Sequence, residues 1–179
     1  MPADRATWDV AARELETRAH AVLEIARSLG ARKIASYGVG AAFLEHELAR
    51  LAPDISLFCS GYTPRTVRRR QDLFPEADVR VHDLLRDEPL DADLSLLHRV
   101  DTALTNREWR LVLRRMPRPV LFAPGGLVTG QQIARMLLTF RGNRAGFVRT
   151  PAAVERVLGR CEKVWLGDMN GYLLRPDLV

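Results

Sequence analysis

Five short apolar runs, Lys33 to Tyr37, Ile55 to Cys59, Val79 to His82, Leu94 to Leu97 and Val120 to Ala123, alternate along this chain with segments of helical spacing. Apolar runs of that length are buried on both faces, and their alternation with helices specifies a parallel sheet whose strands are joined by crossovers. Explicit start signals support the helices. Thr63 followed by Pro64 makes an N-cap and first-turn pair, and Thr105 with Glu108 makes a capping box ahead of Trp109, Val112, Leu113 and Met116. Phe43, Leu44, Leu48 and Leu51 line one helix face, and Ile133, Met136, Leu137 and Phe140 another. Between Asp83 and Asp91 there is room only for a loop or a single helical turn.

Both ends depart from this pattern. Before the first strand, apolar positions recur at Trp8, Leu15, Val22 and Leu29, with alanines filling the same side. This predicts an amphipathic helix of about seven turns, closed by Gly30 as a C-cap and packed on the domain. At the other end, Thr150 and Pro151 open a short helix. Lys163 to Leu166 and Tyr172 to Leu174 then form two strand-like runs with a linker containing Asn170 and Gly171, which reads as an antiparallel hairpin. The expected class is α/β: a doubly wound, Rossmann-like sheet of about five parallel strands plus the hairpin. Residues 1–30 form the helix and residues 31–179 one domain.

With 179 residues, 47% of them hydrophobic, the chain buries one core and leaves little for a second domain. No apolar run approaches a membrane span, and the N-terminus carries charge without an apolar run after it, so a cytoplasmic protein is expected. Cys59 and Cys161 have no Cys or His at metal-ligand spacing, which leaves two buried thiols and no metal site. The net charge of +5 comes almost wholly from arginine, since only Lys33 and Lys163 are lysines. The dense run Arg65, Arg68, Arg69, Arg70 falls on a helix, where a solvated face is favoured over a phosphate-binding patch, so nucleic acid is not the favoured partner.

The chemistry concentrates between Lys33 and Pro64. A strand that breaks on Gly38, Val39, Gly40 and runs straight into a helix lets the backbone approach a ligand and points free helix N–H groups at it. The second strand stops at Ser60 and Gly61, the third at Asp83, and Pro124, Gly125 and Gly126 follow the fifth.

This order of parts resembles the class I S-adenosylmethionine-dependent methyltransferases over nearly the full chain. In that family the first strand ends in an acid, one apolar residue and Gly-x-Gly-x-Gly; here Ser36, Tyr37, Gly38, Val39, Gly40, Ala41 and Ala42 stand in that register, with Ser36 in place of the acid. The second strand of the family ends in an acid that accepts the ribose hydroxyls, then a residue packed on adenine; here Gly61 and Tyr62 hold those positions ahead of Thr63 and Pro64. Losing that carboxylate costs on the order of 2 to 3 kcal/mol, or roughly 30- to 150-fold in affinity. Val81, His82, Asp83, Leu84 and Leu85 match the third element, which puts Asp83 near the adenine amino group and the Leu84 backbone on the ring.

The resemblance implies S-adenosylmethionine as cofactor, with Ser36, Tyr37, Gly38, Val39, Gly40, Gly61, Tyr62, Asp83, Leu84 and His98 around it. Methyl transfer is mainly a matter of positioning, with a base needed only where the nucleophile must lose a proton. His98 and Arg99 lie at the reaction centre, His98 being the candidate base and Asp101 its orienting partner. Glu45 and Asp101 are the acids that could replace the carboxylates missing at Ser36 and Gly61. Three readings stay open: methyl transfer to a small molecule or exposed side chain, a catalytically inactive scaffold or partner subunit, and an RNA-binding variant. The cleft is either open or closed by a second chain, a protein partner or another copy.

Overall fold

The computed structural model describes residues 5–39, 42–73, 78–100, 103–125, 127 and 149–178. The expected helix through Ile133 and Phe140, Gly40, Asp101, Gly126 and the side chains of Arg69 and Arg70 lie outside the described residues.

The chain runs α1 (Arg5–Ser28), β1 (Lys33–Tyr37), α2 (Phe43–Leu51), β2 (Ser56–Gly61), α3 (Pro64–Leu73), β3 (Asp78–Val81), β4 (Leu94–His98), α4 (Asn106–Arg115), β5 (Val120–Ala123), α5 (Pro151–Leu158), β6 (Glu162–Trp165) and β7 (Asn170–Leu174). Its seven strands form one sheet in the order β3-β2-β1-β4-β5-β7-β6. Strands β1 to β5 are parallel, while β7 inserts antiparallel between β5 and β6. The chain leaves β1 toward one edge and β4 toward the other, so the sheet has its switch point between those two neighbours, where the connections diverge and leave a crevice at the carboxyl ends.

The periodicities explain each layer. Helices α1 and α2 bury Ala19, Val22, Leu23, Ala26, Leu44 and Leu48 against Ile34, Leu94, Leu96, Leu121 and Leu173 on one face. On the other face Trp109, Val112, Leu113, Val154 and Leu158 from α4 and α5 cover Ala35, Tyr37, Leu97, Val120, Phe122 and Tyr172. Helix α1 ends as its sequence asks: Gly30 takes φ 69°, its N–H donates to Arg27 and that of Ala31 to Ala26, a Schellman closure. The capping box of α4 is present in full, and Thr150 caps α5.

Two expectations change in detail. The hairpin does not turn on Asn170-Gly171: those residues pair with Trp165 and Val164 inside the ladder. Leu166, Gly167, Asp168 and Met169 make the turn instead, with Gly167 at φ 88° and the Leu166 N–H on the Met169 carbonyl. The turn is thus four residues long and the β6–β7 ladder extends over Asn-Gly, while β5 pairs with β7 only from Tyr172 onward. Of the two thiols Cys59 is buried, as expected, whereas Cys161 is only half-buried.

The β3 to β4 crossover carries no helix, as its length requires. It is built from backbone turns and side-chain anchors: Arg86 and Asp87 N–H groups donate to the Asp83 carbonyl, Asp87 accepts from Asp83 N, and Arg115 reaches across to the Leu85 and Asp87 carbonyls. Leu90 N–H donates to the Tyr37 hydroxyl at 2.8 Å.

Candidate functional site

At the carboxyl ends of the strands three adjoining cavities share one residue, Arg99. The largest, of 590 Å³, spans the ends of β1, β2 and β3 and is lined by Gly38, Ser60, Gly61, Tyr62, Asp83 and Leu84 among others, Arg99 included. A second, of 280 Å³, lies under the start of α2 between Gly38, Val39, Ala42, Glu45, His98 and Arg99. The third, of 490 Å³, opens between the end of β5 and the β6–β7 turn, against Arg18, Arg99, Trp165, Asp168 and Met169.

The glycine turn owes its shape to two constraints at once. Gly38 sits at φ 74°, and a Cβ there would meet Val100 Cγ1 at 2.0 Å, so no side chain is tolerated. The family's third glycine register is filled by Ala42, which takes the left-handed φ of 55° as N-cap of α2 and gives that helix no side-chain cap. Arg99 is left-handed too, at φ 57°, its N–H donating to the Ala123 carbonyl at 2.8 Å. Non-glycine residues in that conformation cost of order 1–3 kcal/mol and gather at ligand sites.

The sequence-derived residues divide into two groups. Gly38, Val39, Gly61, Tyr62, Asp83 and Leu84 all line the largest cavity, with Tyr62 71% exposed at its lip. Asp83 turns one carboxylate oxygen back onto Leu85 N–H at 2.9 Å and sets the other 3.6 Å from Arg86, so the acid is oriented by its own loop. Ser36 and Tyr37 stand below the cavity instead. Ser36 is fully buried and donates to Glu45 at 2.7 Å, which puts a carboxylate from α2 beside the register where the family has its first acid. Tyr37 is a core residue whose hydroxyl anchors the crossover and whose ring meets His82 edge-on at 5.3 Å.

His98 lies in the small cavity beneath the turn, and its Nε2 is 2.9 Å from Arg18 Nη1. A guanidinium only donates, so this nitrogen accepts and its lone pair is engaged. Arg18 also forms a two-pronged ion pair with Asp168, its Nε to Oδ1 contact being 3.0 Å and its Nη2 reaching Oδ2. Burial, followed by the charges of Arg18 and Arg99, pushes the His98 pKa down to about 3, with Asp168 opposing. The imidazole is therefore a neutral acceptor holding α1 to the end of β4, and a weak base.

Several residues of the site gave no local signal in the sequence. Arg18 and Asp168 are 150 residues apart. His82 is buried in the wall of the largest cavity, where burial lowers its pKa, and Glu108 reaches the same cavity from the α4 capping box. Trp165 is 62% exposed on the third cavity although it belongs to an edge strand.

No protein-family model matches the sequence, and no curated protein does. Solved structures do. The chain is similar to human N-acetylserotonin methyltransferase in complex with SAM at TM-score 0.67 and 20% identity, over 94% of this chain and 52% of that one. It is similar to the mitomycin 7-O-methyltransferase MmcR at TM-score 0.67 and 17% identity, over 96% and 55%, and to TnmH at 0.68 and 19%, over 94% and 56%. The chain thus spans about half the length of those proteins. With the sheet order, the glycine turn and the crevice at the switch point, these likenesses show that the chain has the fold of the class I S-adenosylmethionine-dependent methyltransferases.

Proposed function

We propose that this chain binds S-adenosylmethionine and supports methyl transfer to an oxygen of a small acceptor. The observation that carries the reading is that three cavities lie side by side at the carboxyl ends of the strands, with Arg99 lining all of them. The largest cavity falls within the roughly 300–1,000 Å³ typical of cofactor pockets. Its apolar walls, Leu84, Leu85, Val100 and Leu104, suit a purine, Tyr62 stands at its lip, Asp83 offers an acceptor for an amino group, and the start of α2 borders the adjoining cavity. S-adenosylmethionine supplies, when bound, an electrophilic methyl group on a sulfonium. The chain's own part is to hold the two reactants in line and to exclude water, which suffices where the acceptor arrives ready to react.

The neighbours support this reading, one of them in complex with SAM and another a 7-O-methyltransferase by name. A second reading, a methyltransferase fold serving as partner subunit, is favoured by Gly61, which leaves the end of β2 without a carboxylate. Calorimetric titration with S-adenosylmethionine and S-adenosylhomocysteine separates them. Micromolar binding is expected, weakened about ten-fold by Tyr62→Ala through loss of ring packing, with an unchanged melting temperature because Tyr62 is exposed. No binding up to millimolar ligand would sink the enzyme reading in favour of the partner one.

A further inference from the structure

The third cavity differs from the other two in its charge and its walls. Among the described residues, its charged lining consists of two arginines, Arg18 and Arg99, and one carboxylate, Asp168. Arg18 and Asp168 neutralise one another in their ion pair. Arg99 is exposed, and its guanidinium has no hydrogen bond or ion pair among the described residues. The largest cavity, by contrast, balances Arg86 and Arg99 against Asp83 and Glu108. The same cavity is also lined by apolar and polarisable side chains: Trp165, Met169, Leu127 and Pro124.

Backbone contacts hold the root of the Arg99 side chain. The Arg99 N–H is held by Ala123, and Val100 is wedged against Gly38, so the left-handed turn is restrained on both sides, and Arg99 lines all three cavities. Among the described residues lining the third cavity, the one carboxylate is committed to Arg18. His98 next door spends its lone pair on the same arginine. Neither is free to take a proton from an acceptor.

From this juxtaposition we infer that the third cavity takes a planar aromatic acceptor that arrives already anionic, its charged oxygen paired with Arg99 and its ring lying against Trp165 and Met169. The inference rests on the methyl-transfer reading. With an ionised acceptor the step balances without a base: an oxygen lone pair forms the new O–C bond as the C–S bond breaks, that bonding pair stays on sulfur as a neutral thioether, and no proton moves. A guanidinium beside the oxygen both selects the ionised form and supplies directional donors to it. The exposed indole and thioether give the ring a face to lie on.

Two shape-matched probes test it: 2-naphthoate, an anion at neutral pH, and neutral 2-naphthamide, each titrated calorimetrically into the full chain with and without saturating S-adenosylhomocysteine. The wild type is expected to prefer 2-naphthoate by about ten-fold or more, the scale of a charge-assisted pair. Arg99→Gln should bring the two probes within about two-fold of each other, Arg99→Lys should restore part of the preference, and Trp165→Ala should weaken both probes equally. Equal binding of the probes to the wild type, no binding of either, or a preference that survives in Arg99→Gln overturns the inference. A loss confined to S-adenosylhomocysteine binding in Arg99→Gln also overturns it, since Arg99 would then serve the amino-acid end of the cofactor. A wild type that binds no S-adenosylhomocysteine yet keeps the anion preference refutes the cofactor reading and leaves the anion site standing.

Discussion

Gly38 and Gly61 occupy equivalent places at the ends of adjacent strands, yet for opposite reasons. Gly38 is demanded by the backbone: φ 74° and a Cβ position 2.0 Å from Val100 Cγ1. Gly38→Ala is expected to cost about 2–4 kcal/mol, the sum of left-handed strain and overlap, in chemical denaturation. Adding Val100→Ala should recover the overlap part, about half; full recovery or none would refute that division. Gly61 has no such need. Its φ is ordinary, and a Cβ would lie 3.2 Å from Val67 and 3.6 Å from Thr66, a close fit that a small shift relieves. Gly61→Asp therefore restores a carboxylate at the end of β2 and should tighten S-adenosylmethionine binding roughly ten-fold, with a modest loss of stability. Unchanged affinity in the folded variant would mean that the ribose is held from elsewhere.

Among the elements, the crossover between β3 and β4 shows what sequence reading reaches and where it stops. Its shortness forbids a helix, and that much is plain from the spacing of Asp83 and Asp91. What holds it is invisible locally, because the anchors are Tyr37 on β1 and Arg115 on α4. Burial pushes the Tyr37 phenol pKa up, while its bond to the Leu90 backbone opposes, as expected for a neutral hydroxyl in a core position. Tyr37→Phe should cost about 1 kcal/mol and, more tellingly, speed hydrogen exchange at Leu90 while leaving β4 protected. Equal acceleration in both would show that the hydroxyl stabilises the whole domain and not the loop. Strand positions, caps and the N-terminal helix were legible because each is encoded by residues within a turn or two of one another. The side chains completing the site were not, since Arg18, Asp168 and Trp165 reach it only through the order of strands in the sheet. The same reasoning explains His98: its position at the end of β4 could be read, whereas its engagement by α1 could not.

For the molecule as a whole, acid is the condition that should find its weak point. An unfolded histidine titrates near 6.5, whereas His98 in the fold titrates at about 3 and His82 is also lowered, both chiefly by burial. Between those values the unfolded chain binds protons that the native one does not, so stability must fall as pH drops from about 6.5 toward 3. The melting temperature should decline steadily from pH 7 to pH 4, and His98→Asn, which keeps an acceptor for Arg18, should flatten the decline; an equally steep acid limb in the variant would locate the sensitive group elsewhere. Among the described residues no helix is long and apolar enough to cross a membrane.

The pair between Arg18 and Asp168 joins the first helix to the last hairpin across 150 residues. Closing so long a loop costs chain entropy and gains little until β4, β5 and β7 are in place, so this contact is expected to form late in folding. An interaction absent from the transition state acts on the return journey alone. The ion pair is then expected to act as a latch on unfolding: breaking it should shorten the life of the native molecule and leave the speed of its formation nearly unchanged.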